Sequence, residues 1–270
     1  MNRMQGKIAL VTACTKGIGL ATVEAFVAEG ATVYMAVRNL ELGAEVAATI
    51  NAKGPGSAKP VYCDAYQFDS YAPMVDEVLK DAGRIDVLVN NFGGTKPSQD
   101  LDIIHGNWEN FQKGIDVNIG SVFMTSHLVI EKAMVPQKSG VIVNIGSVAG
   151  LTYDYKQCAY GVAKAGILHL SRMIAVQCGR YGIRCNAVCP GMTATAAVAN
   201  NLPIEYQNKQ LKATPMKRMA TPQEIANAVL YFCDDGAAFT TGQILAVEGG
   251  YSFAPGTYGD DIGGAALAEG

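Results

Sequence analysis

The sequence carries little net charge and lacks any run of basic residues. Its 270 residues include 21 lysines and arginines against 24 aspartates and glutamates, for a formal net charge of -3. A surface that binds nucleic acid needs clustered positive charge opposite the phosphates. We therefore expect no nucleic acid partner, and a small molecule is the favoured ligand.

Long apolar runs are missing as well. No uninterrupted apolar stretch approaches the roughly 20 residues of a transmembrane helix, so we expect no membrane association. The N-terminus reads MNRMQGKIALVTACTKGIG, and it lacks the apolar core and small-residue cleavage site of a secretion signal. We expect the protein in the cytoplasm.

Histidine is scarce, and the cysteines form no metal-binding or disulfide pattern. His105, His127 and His169 lack a metal-ligand spacing, although His105 could contact a substrate from a loop. The seven cysteines are odd in number and scattered. Cys185 and Cys189 lie in a strand-like run, RCNAVCPG, without a CxxC motif. We expect reduced, buried thiols and no metal site.

Short β-branched runs alternate with longer segments of helical periodicity. The predicted strands are residues 7–12, 31–37, 59–63, 85–91, 140–147, 183–190 and 243–250. Repeated strand–helix–strand units predict an α/β fold, in which helices cover both faces of a parallel sheet. Because 49% of the residues are hydrophobic and no linker interrupts them, we expect residues 1–250 to form a single domain.

Two segments depart from this alternation. Residues 192–220 form a long insertion before Thr221 and Pro222 begin a further helix, and we interpret the insertion as a substrate lid. Residues 251–270 are rich in glycine and small side chains. They form the predicted C-terminal tail, which either frays or covers a site in a neighbouring subunit.

The first strand runs directly into a glycine cluster. TACTKGIG, residues 12–19, joins the first strand to the first helix. In such a turn, glycines let the backbone approach a pyrophosphate, whose charge is stabilised by free N–H groups and the helix dipole. This position at the start of an α/β chain predicts a dinucleotide site.

The end of the second strand indicates which dinucleotide binds. A site for NAD usually has a carboxylate there to hold the ribose 2′-hydroxyl, whereas residues 36–40 read AVRNL. Arg38 and Lys16 would suit a 2′-phosphate, so we predict NADP(H). The alternative is that both cations are ordinary solvated charges and that Glu41 provides the carboxylate.

A tyrosine and a lysine stand four residues apart in SVAGLTYDYKQCAYGVAK, residues 147–164. On a helix, Tyr160 and Lys164 would share one face, and Ser147 lies upstream. A free tyrosine has a pKa of about 10, and a close ammonium and an oxidised nicotinamide ring both stabilise phenolate. The pattern predicts that the ammonium of Lys164 changes the acidity of the Tyr160 phenol. The alternative is a surface pair without function.

With these residues in place, the sequence resembles the short-chain dehydrogenase/reductase superfamily over residues 6–250. The matching pieces are TACTKGIG, Asp64 after the third strand, NNFG at 90–93, Asn118, Ser147, YGVAK at 160–164 and PGMTAT at 190–195. The resemblance implies a Rossmann-type, doubly wound, seven-stranded parallel sheet with the order 3-2-1-4-5-6-7. VNNFGGT, IRCNAV and PQEIANAVLY resemble bacterial NADP-dependent bile-acid hydroxysteroid dehydrogenases of the 7α and 12α kinds.

The resemblance also implies roles for particular residues. In a hydroxyl–ketone interconversion, Tyr160 would donate or accept the proton, and Ser147 would hold the substrate oxygen. Lys164 would also bind the nicotinamide ribose, and Asn118 would order a water beside the lysine. The implied cofactor-binding residues are Thr12, Thr15, Lys16, Gly17, Ile18, Gly19, Arg38, Asp64, Asn91, Gly93, Pro190, Gly191, Thr193 and Thr195.

Two positions depart from the family pattern. Ala13 stands where the family has the first glycine of its phosphate loop, and an alanine there still allows close approach if its φ stays negative, which we expect. Phe92 replaces an alanine near the expected path of the cofactor, where it could fill a groove.

The resemblance points to a bile acid as substrate, held between residues 94–105, 148–157 and 192–215. Tyr153 or Tyr155 could stack on a flat apolar ligand, but either could equally pack in a loop. The lid residues Met192, Ala196, Val198 and Leu202 suit an apolar ligand, although core contacts would need the same residue types.

The sequence does not specify whether the hydroxyl is at position 3, 7 or 12 or on which face of the steroid it lies. It also does not specify the preferred direction of the reaction. One rival is a 3-oxoacyl carrier-protein reductase, which would need a basic dock where only dispersed cations such as Lys113 and Lys132 occur. Another is a non-catalytic NADP(H)-sensing protein. By analogy, we expect a homotetramer or dimer that associates through the predicted helices at roughly 108–134 and 157–181.

Overall fold

The computed structural model describes residues 2–254 and 258–261. It contains a single seven-stranded sheet with the order β3-β2-β1-β4-β5-β6-β7, and every neighbouring pair is parallel. The strands are β1 Ile8–Thr12, β2 Thr32–Val37, β3 Ser57–Tyr62, β4 Val87–Asn90, β5 Gly140–Ile145, β6 Ile183–Pro190 and β7 Ile244–Val247. The predicted α/β class and strand order are confirmed.

The helices alternate with these strands along the chain. They are α1 Gly17–Ala28, α2 Leu40–Asn51, α3 Tyr71–Ala82, α4 Trp108–Ile115, α5 Ser121–Val129, α6 Val135–Gln137, α7 Cys158–Cys178, α8 Ala196–Asn201, α9 Ile204–Ala213, α10 Pro222–Cys233 and α11 Tyr258–Asp261. Two π-helical turns, Asp116–Gly120 and Ile130–Met134, join α4, α5 and α6 into one continuous helical segment. Within the described ranges, no helix is both long enough and apolar enough to span a membrane.

Successive strand residues point to opposite sides of the sheet. Both faces are buried because helices pack against each of them. On one face, Val11 of β1 belongs to a buried apolar cluster with Phe26 of α1 and Val229 of α10. On the other face, Leu10 of β1 belongs to a second cluster with Val129 of α5. These two cores account for strands that are apolar along their whole length.

A buried polar chain crosses the second core. Asn90 of β4 and Asn144 of β5 are in register, and Asn90 Nδ2 donates to Asn144 Oδ1 at 2.8 Å and to Ser126 Oγ at 2.9 Å. Asn144 Nδ2 donates in turn to Ser171 Oγ at 2.8 Å. Because Ser126 lies on α5 and Ser171 on α7, this chain fixes both helices to the centre of the sheet.

The strand order reverses between β1 and β4, where successive crossovers lead away in opposite directions. In parallel sheets of this kind, ligands bind in the crevice at the carboxyl ends of the strands beside this switch point. Thr12 ends β1 there, and its hydroxyl accepts N–H groups from Asn91 at 2.8 Å and Phe92 at 3.1 Å, just after β4. The sequence therefore brings its two glycine-containing motifs to one edge of the sheet.

The seventh strand is shorter than predicted. The sequence pattern extends it over 243–250, whereas β7 is Ile244–Val247. Gly249 and Gly250 have φ angles of 65° and 89°. These angles belong to the left-handed region, which cannot continue a strand.

The predicted insertion at 192–220 contains α8 and α9, and its two ends meet at the body of the protein. Ala220 N donates to Met192 O at 2.9 Å, and Ala194 N donates to Ala220 O at 2.8 Å. Met216 N donates to Gly249 O at 3.1 Å. Much of the predicted tail at 251–270 lies outside the described residues, so its two alternatives stay predictions.

Candidate active site

Two adjoining cavities open at the carboxyl edge of the sheet. The first, named here the loop cavity, has a volume of about 660 Å³ and lies along the turns that follow β1, β2, β3 and β4. The second, named here the α7 cavity, has a volume of about 630 Å³ and lies between α7 and residues 190–210. Gly94 and Thr95 line both cavities, so the two spaces share a wall.

The turn after β1 leaves no room for additional side chains. A Cβ on Gly19 would lie 2.6 Å from Asn91 Nδ2 and 2.7 Å from Ala13 O. Asn91 Nδ2 donates to Thr12 O at 3.2 Å and to Ala13 O at 3.0 Å. The side chain of Asn91 therefore holds the turn in shape, and Gly19 lets the helix start close against it.

Ala13 contradicts the expectation of a negative φ angle. Its φ is 52°, in the left-handed region that glycine adopts readily and alanine does not. The tight geometry of the turn imposes this angle, because Ala13 N donates to Ala36 O at 3.0 Å while its own carbonyl accepts from Asn91. The alanine adopts the glycine conformation and carries its strain.

Two unpaired cations face the loop cavity. Lys16 and Arg38 line it and are exposed, and neither forms an ion pair with a residue in the described ranges. Asp64, after β3, lines the same cavity. Glu41, the alternative carboxylate, lies in the first turn of α2 and outside the cavity lining.

The predicted cofactor residues fall into three groups. Those that line the loop cavity are Thr15, Lys16, Arg38, Asp64 and Gly93. Those that line the α7 cavity are Pro190 and Gly191. Those that line neither cavity are Thr12, Gly17, Ile18, Gly19, Asn91, Thr193 and Thr195.

Several residues of the third group have a structural task near the cavities. Thr193 Oγ1 donates to Gly191 O at 3.0 Å, and Thr195 Oγ1 caps α8 by accepting from Val198 N at 3.3 Å. A Cβ on Gly17 would lie 3.4 Å from the Thr195 methyl group. Thr195 therefore packs against the turn after β1.

The predicted proton-transfer residues come together at the α7 cavity. Tyr160 and Lys164 are one turn apart on α7, and Lys164 Nζ lies 5.5 Å from the centroid of the Tyr160 ring. Ser147, two residues beyond β5, lines the cavity with Tyr160. The Ser147 hydroxyl is near enough to the phenol to lower its pKa.

The ammonium of Lys164 is buried, with 4% of the residue exposed. Its Nζ donates to the carbonyl oxygen of Ile145, the last residue of β5, at 2.8 Å. Burial disfavours the charged form and lowers the pKa of Lys164 to about 8. The charge is therefore present at neutral pH and titrates just above it.

The pKa of Tyr160 differs from the expectation that the lysine lowers it. Burial raises the pKa, and the hydrogen bond from Ser147 opposes that rise only in part. The largest cause is burial of the phenol, and Cys189 adds to the rise, while the Lys164 ammonium donates its hydrogen bond to Ile145 O. In this structure Tyr160 is therefore a protonated donor at neutral pH.

Asn118 is fully buried and holds the wall that the two cavities share. Its Oδ1 accepts from Gly94 N at 3.1 Å, and its Nδ2 donates to Gly94 O at 3.0 Å. Gly93 has a φ of 126°, and a Cβ there would lie 2.4 Å from Asn118 Oδ1 and 3.4 Å from Lys164 Nζ. Asn118 and Lys164 thus meet beside Gly93, and a role in ordering water stays a prediction.

Phe92 fills the space beneath the loop cavity. Its residue is 5% exposed, and its ring meets Tyr71 edge to face, with centroids 6.0 Å apart and planes at 82°. It also contributes to the cavity lining. The substitution therefore extends the second core up to the cavity floor.

Only some of the predicted substrate residues line the α7 cavity. Tyr153 lines the α7 cavity with its side chain fully exposed, whereas Tyr155 lies outside the lining. His105 lines neither cavity, and its Nδ1 lies 2.8 Å from Asp102 Oδ1. Among the apolar lid residues, those that line the α7 cavity are Met192, Val198 and Leu202, while Ala196 does not.

A polar link across the α7 cavity escaped the sequence patterns. Tyr206 of α9 donates from its hydroxyl to Asp154 Oδ2 at 2.9 Å and accepts from Gln210 Nε2 at 3.0 Å. All three residues line the cavity. The four-residue spacing of Tyr206 and Gln210 on a helix could have indicated their contact, but Asp154 is 52 residues away in the sequence.

Comparisons with known proteins found similar chains of nearly the same length. A family model described as enoyl-(acyl carrier protein) reductase matches residues 12–252. A 7alpha-hydroxysteroid dehydrogenase from Paraclostridium sordellii is 42% identical over 264 residues, covering 97% of this chain and 98% of that protein. A 3-oxoacyl-(acyl-carrier-protein) reductase FabG from Thermotoga maritima is 33% identical, covering 92% of this chain and 98% of that protein.

A solved structure is similar over the same extent. It is a 3-oxoacyl-(acyl-carrier protein) reductase with bound NAD from Brucella melitensis, and it superimposes with a TM-score of 0.82 at 32% identity. The match covers 93% of this chain and 93% of that one.

The strain at Ala13 predicts a stabilising substitution. Ala13→Gly should raise the free energy of unfolding by about 1 kcal/mol, because glycine adopts this φ without a Cβ clash. Ala48→Gly, on the exposed side of α2, is a control that should destabilise by a similar amount. Thermal melting of both variants measures the difference. A lower melting temperature in both would contradict the account of Ala13.

The pKa of Lys164 predicts a pH dependence. The folded state lowers this pKa to about 8, so the cation is present below that pH and lost above it. The kcat/KM for ketone reduction should be level up to about pH 8 and then fall. In Lys164→Arg any remaining activity should lack this fall, because arginine does not titrate in that range. A fall at the same pH in Lys164→Arg would rule out the lysine as its origin.

Proposed function

The chain belongs to the short-chain dehydrogenase/reductase family, and on that premise we propose that it interconverts a secondary hydroxyl and a ketone on a steroid nucleus, using NADP(H). The observation that carries the proposal is that Tyr160 and Ser147 both line the α7 cavity, with Lys164 Nζ 5.5 Å from the centroid of the Tyr160 ring. The bile-acid class of substrate rests on the similarity to 7alpha-hydroxysteroid dehydrogenases.

The residues present fit the cofactor that this family uses. The turn after β1, where a Cβ on Gly19 would collide with Asn91 and Ala13, borders the loop cavity, and two unpaired cations, Lys16 and Arg38, line it. Thr15, Lys16 and Arg38 would hold the phosphates. When bound, the nicotinamide would supply or accept the hydride.

The chain's own residues would handle the proton and the substrate oxygen. In reduction, the Ser147 hydroxyl donates a hydrogen bond to the carbonyl oxygen, and Tyr160 Oη transfers its proton to that oxygen as negative charge develops. The Lys164 ammonium stabilises the phenolate that remains. In oxidation, the same phenolate takes the proton back from the alcohol. The raised pKa of Tyr160 suits the donating role.

NADP(H) is the proposed dinucleotide because positive charge is free where the 2′-phosphate would lie. Arg38 follows β2 directly and, like Lys16, has no ion-pair partner among the described residues. A 2′-phosphate could accept charge-assisted hydrogen bonds from both. The carboxylate of Glu41, the candidate that would favour NAD, is not part of the cavity lining.

The α7 cavity suits an apolar molecule that carries a negative charge at one end. Among the described lining residues, the only charged side chains are Asp154 and Lys156. Asp154 already accepts from Tyr206. The Lys156 ammonium forms no ion pair with a described residue, and its Nζ lies 5.5 Å from the Tyr155 centroid. A steroid with a carboxylate side chain would place apolar surface against the lid and its charge near Lys156.

A 3-oxoacyl carrier-protein reductase is the second candidate, and its similarity to this chain supports it. An acidic carrier protein needs a free basic surface beside the cleft. Lys113 donates to Glu109 at 2.7 Å, and Lys132 donates to Asp76 at 2.6 Å. Both cations are therefore neutralised by neighbours, which favours the steroid assignment. The third possibility, an NADP(H) sensor without catalysis, gives no account of the assembled proton-transfer residues.

We also propose a homotetramer or dimer, a cytoplasmic location and a lid function for residues 192–220. Apolar side chains are exposed on α5 and α7, including Phe123 at 52% and Val176 at 83%, and a second subunit would cover them. All seven cysteines are free, as a reducing compartment would keep them. α8 and α9 form the outer wall of the α7 cavity, the position that a lid requires.

The substrate proposal predicts a particular pattern of NADPH turnover. Oxo bile acids with the ketone at position 3, 7 or 12 should be compared with an acetoacetyl thioester, and at least one steroid should give the highest kcat/KM. Tyr160→Phe should lose nearly all turnover, because it removes the transferred proton and little of the packing. Greater activity on the thioester would favour the second candidate, and full activity of Tyr160→Phe would contradict the mechanism.

The cofactor proposal predicts a change of preference at Arg38. Arg38→Asp should lower kcat/KM for NADPH roughly ten- to a hundredfold, because it removes a charge-assisted hydrogen bond and adds repulsion, with NADH affected less. Lys53→Asp makes the same charge change at an exposed position outside the loop cavity and is the control. An unchanged ratio of NADPH to NADH activity in Arg38→Asp would contradict the assignment.

A further inference from the structure

The helix that carries Tyr160 and Lys164 lacks a cap of its own. The first four N–H groups of a helix have no partner inside it and need acceptors from elsewhere. In α2, α8 and α10 a side chain at the N-cap position accepts such an N–H. The residue before α7 is Gln157, which has a left-handed φ of 59° and makes no cap hydrogen bond.

A distant segment provides the missing acceptors. The backbone carbonyl of Asp100 accepts from Gln157 N at 3.2 Å, and that of Leu101 accepts from Cys158 N at 3.2 Å. These contacts bring residues 100–101 directly onto the start of α7. The backbone alone thus satisfies the outermost N–H groups.

The carboxylate of Asp100 satisfies the next two N–H groups of α7. Its Oδ1 accepts from Ala159 N at 2.8 Å, and its Oδ2 accepts from Tyr160 N at 3.0 Å. Thr95 Oγ1 also donates to Oδ2, at 3.2 Å. Hydrogen bonds from N–H groups to a carboxylate are strong, and a negative charge at this end of a helix is favoured by the helix dipole.

These contacts join three parts of the site. Asp100 lines the loop cavity, Thr95 lines both cavities, and the neighbouring Gly94 is held by Asn118. A single carboxylate therefore connects the wall shared by the two cavities to the backbone of Tyr160. Tyr160 is the third residue of α7, so its N–H is fixed from outside the helix.

We propose that Asp100 is a positioning residue for Tyr160, which it holds at the reacting oxygen by capping α7 from the loop after β4. This inference rests on the proposed function, because it assigns to Asp100 the orientation of the proton donor. Displacement of a reacting group by about 1 Å can cost up to about a hundredfold in rate. Loss of the cap should therefore reduce kcat more than cofactor affinity.

The test compares Asp100→Ala and Asp100→Asn with the wild type and with Thr221→Ala. Thr221 caps α10, which packs in the core on the opposite face of the sheet, and lines neither cavity. Thr221→Ala therefore removes a side-chain helix cap without touching α7. The measurements are melting temperature, NADPH affinity by fluorescence, kcat and KM with the most active oxo steroid, and amide exchange of residues 157–164.

Asp100→Ala should lower kcat roughly ten- to a hundredfold and speed amide exchange at the start of α7, with NADPH affinity within about twofold of the wild type. Asp100→Asn keeps one acceptor and the same shape, so it should fold and retain more kcat than the alanine variant. Thr221→Ala should also lower the melting temperature but keep its kcat.

Wild-type kcat in Asp100→Ala, or a lower kcat in Asp100→Asn than in Asp100→Ala, would overturn the proposal. So would unchanged amide exchange in both variants, or an equal loss of kcat in Thr221→Ala, which would indicate general destabilisation. These outcomes differ from failure of the proposed function, which would be shown by steroid turnover that is absent in the wild type or preserved in Tyr160→Phe. Amide exchange tests the cap whichever of these holds.

Discussion

The hydrogen bond between the buried ammonium of Lys164 and the carbonyl of Ile145 sets the position of the remaining groups. A buried charge is costly unless it is hydrogen-bonded, and the 2.8 Å bond to the end of β5 provides that partner. It holds α7 against the strand from which Ser147 follows two residues later. Tyr160, one turn before the lysine, is thereby brought to the Ser147 hydroxyl at the edge of the α7 cavity.

The segment after β4 connects Tyr160 and Lys164 to the loop cavity. Gly93 leaves just enough space between Asn118 and Lys164, and Asn118 fixes the backbone of Gly94 with two hydrogen bonds. Six residues later, Asp100 bonds to the start of α7. The loop that borders the loop cavity and the helix that carries Tyr160 are therefore held together by direct hydrogen bonds. These contacts place Tyr160 close to the wall that the two cavities share.

The fold and the pairing of Tyr160 with Lys164 could be predicted from the sequence, whereas backbone strain and burial at the site could not. Buried parallel strands are apolar throughout, and a four-residue spacing places Tyr160 and Lys164 on one helix face, so the fold and the pair were accessible from local patterns. The left-handed φ of Ala13 could not be predicted, because alanine disfavours this angle and only the surrounding turn imposes it. The raised pKa of Tyr160 depends on burial, which periodicity does not measure.

Contacts between distant residues were also beyond local patterns. Asp154 and Tyr206 are 52 residues apart, and Asp100 lies 60 residues before Tyr160. Each polar side chain, taken alone, is typical of a solvated loop. The strand order required the family resemblance as well, since many orders bury the same apolar strands.

The ligand space and the proton-transfer residues are provided by different parts of the chain, and this separation has an evolutionary consequence. Met192, Val198 and Leu202 line the ligand space, but the two helices of their insertion, at 196–213, contribute no strand to the sheet and no group to proton transfer. A duplicated gene could change these side chains and acquire a differently shaped ligand while its chemistry stayed intact. Paralogues with this fold can therefore differ in the ligand they bind while they keep the same proton-transfer residues.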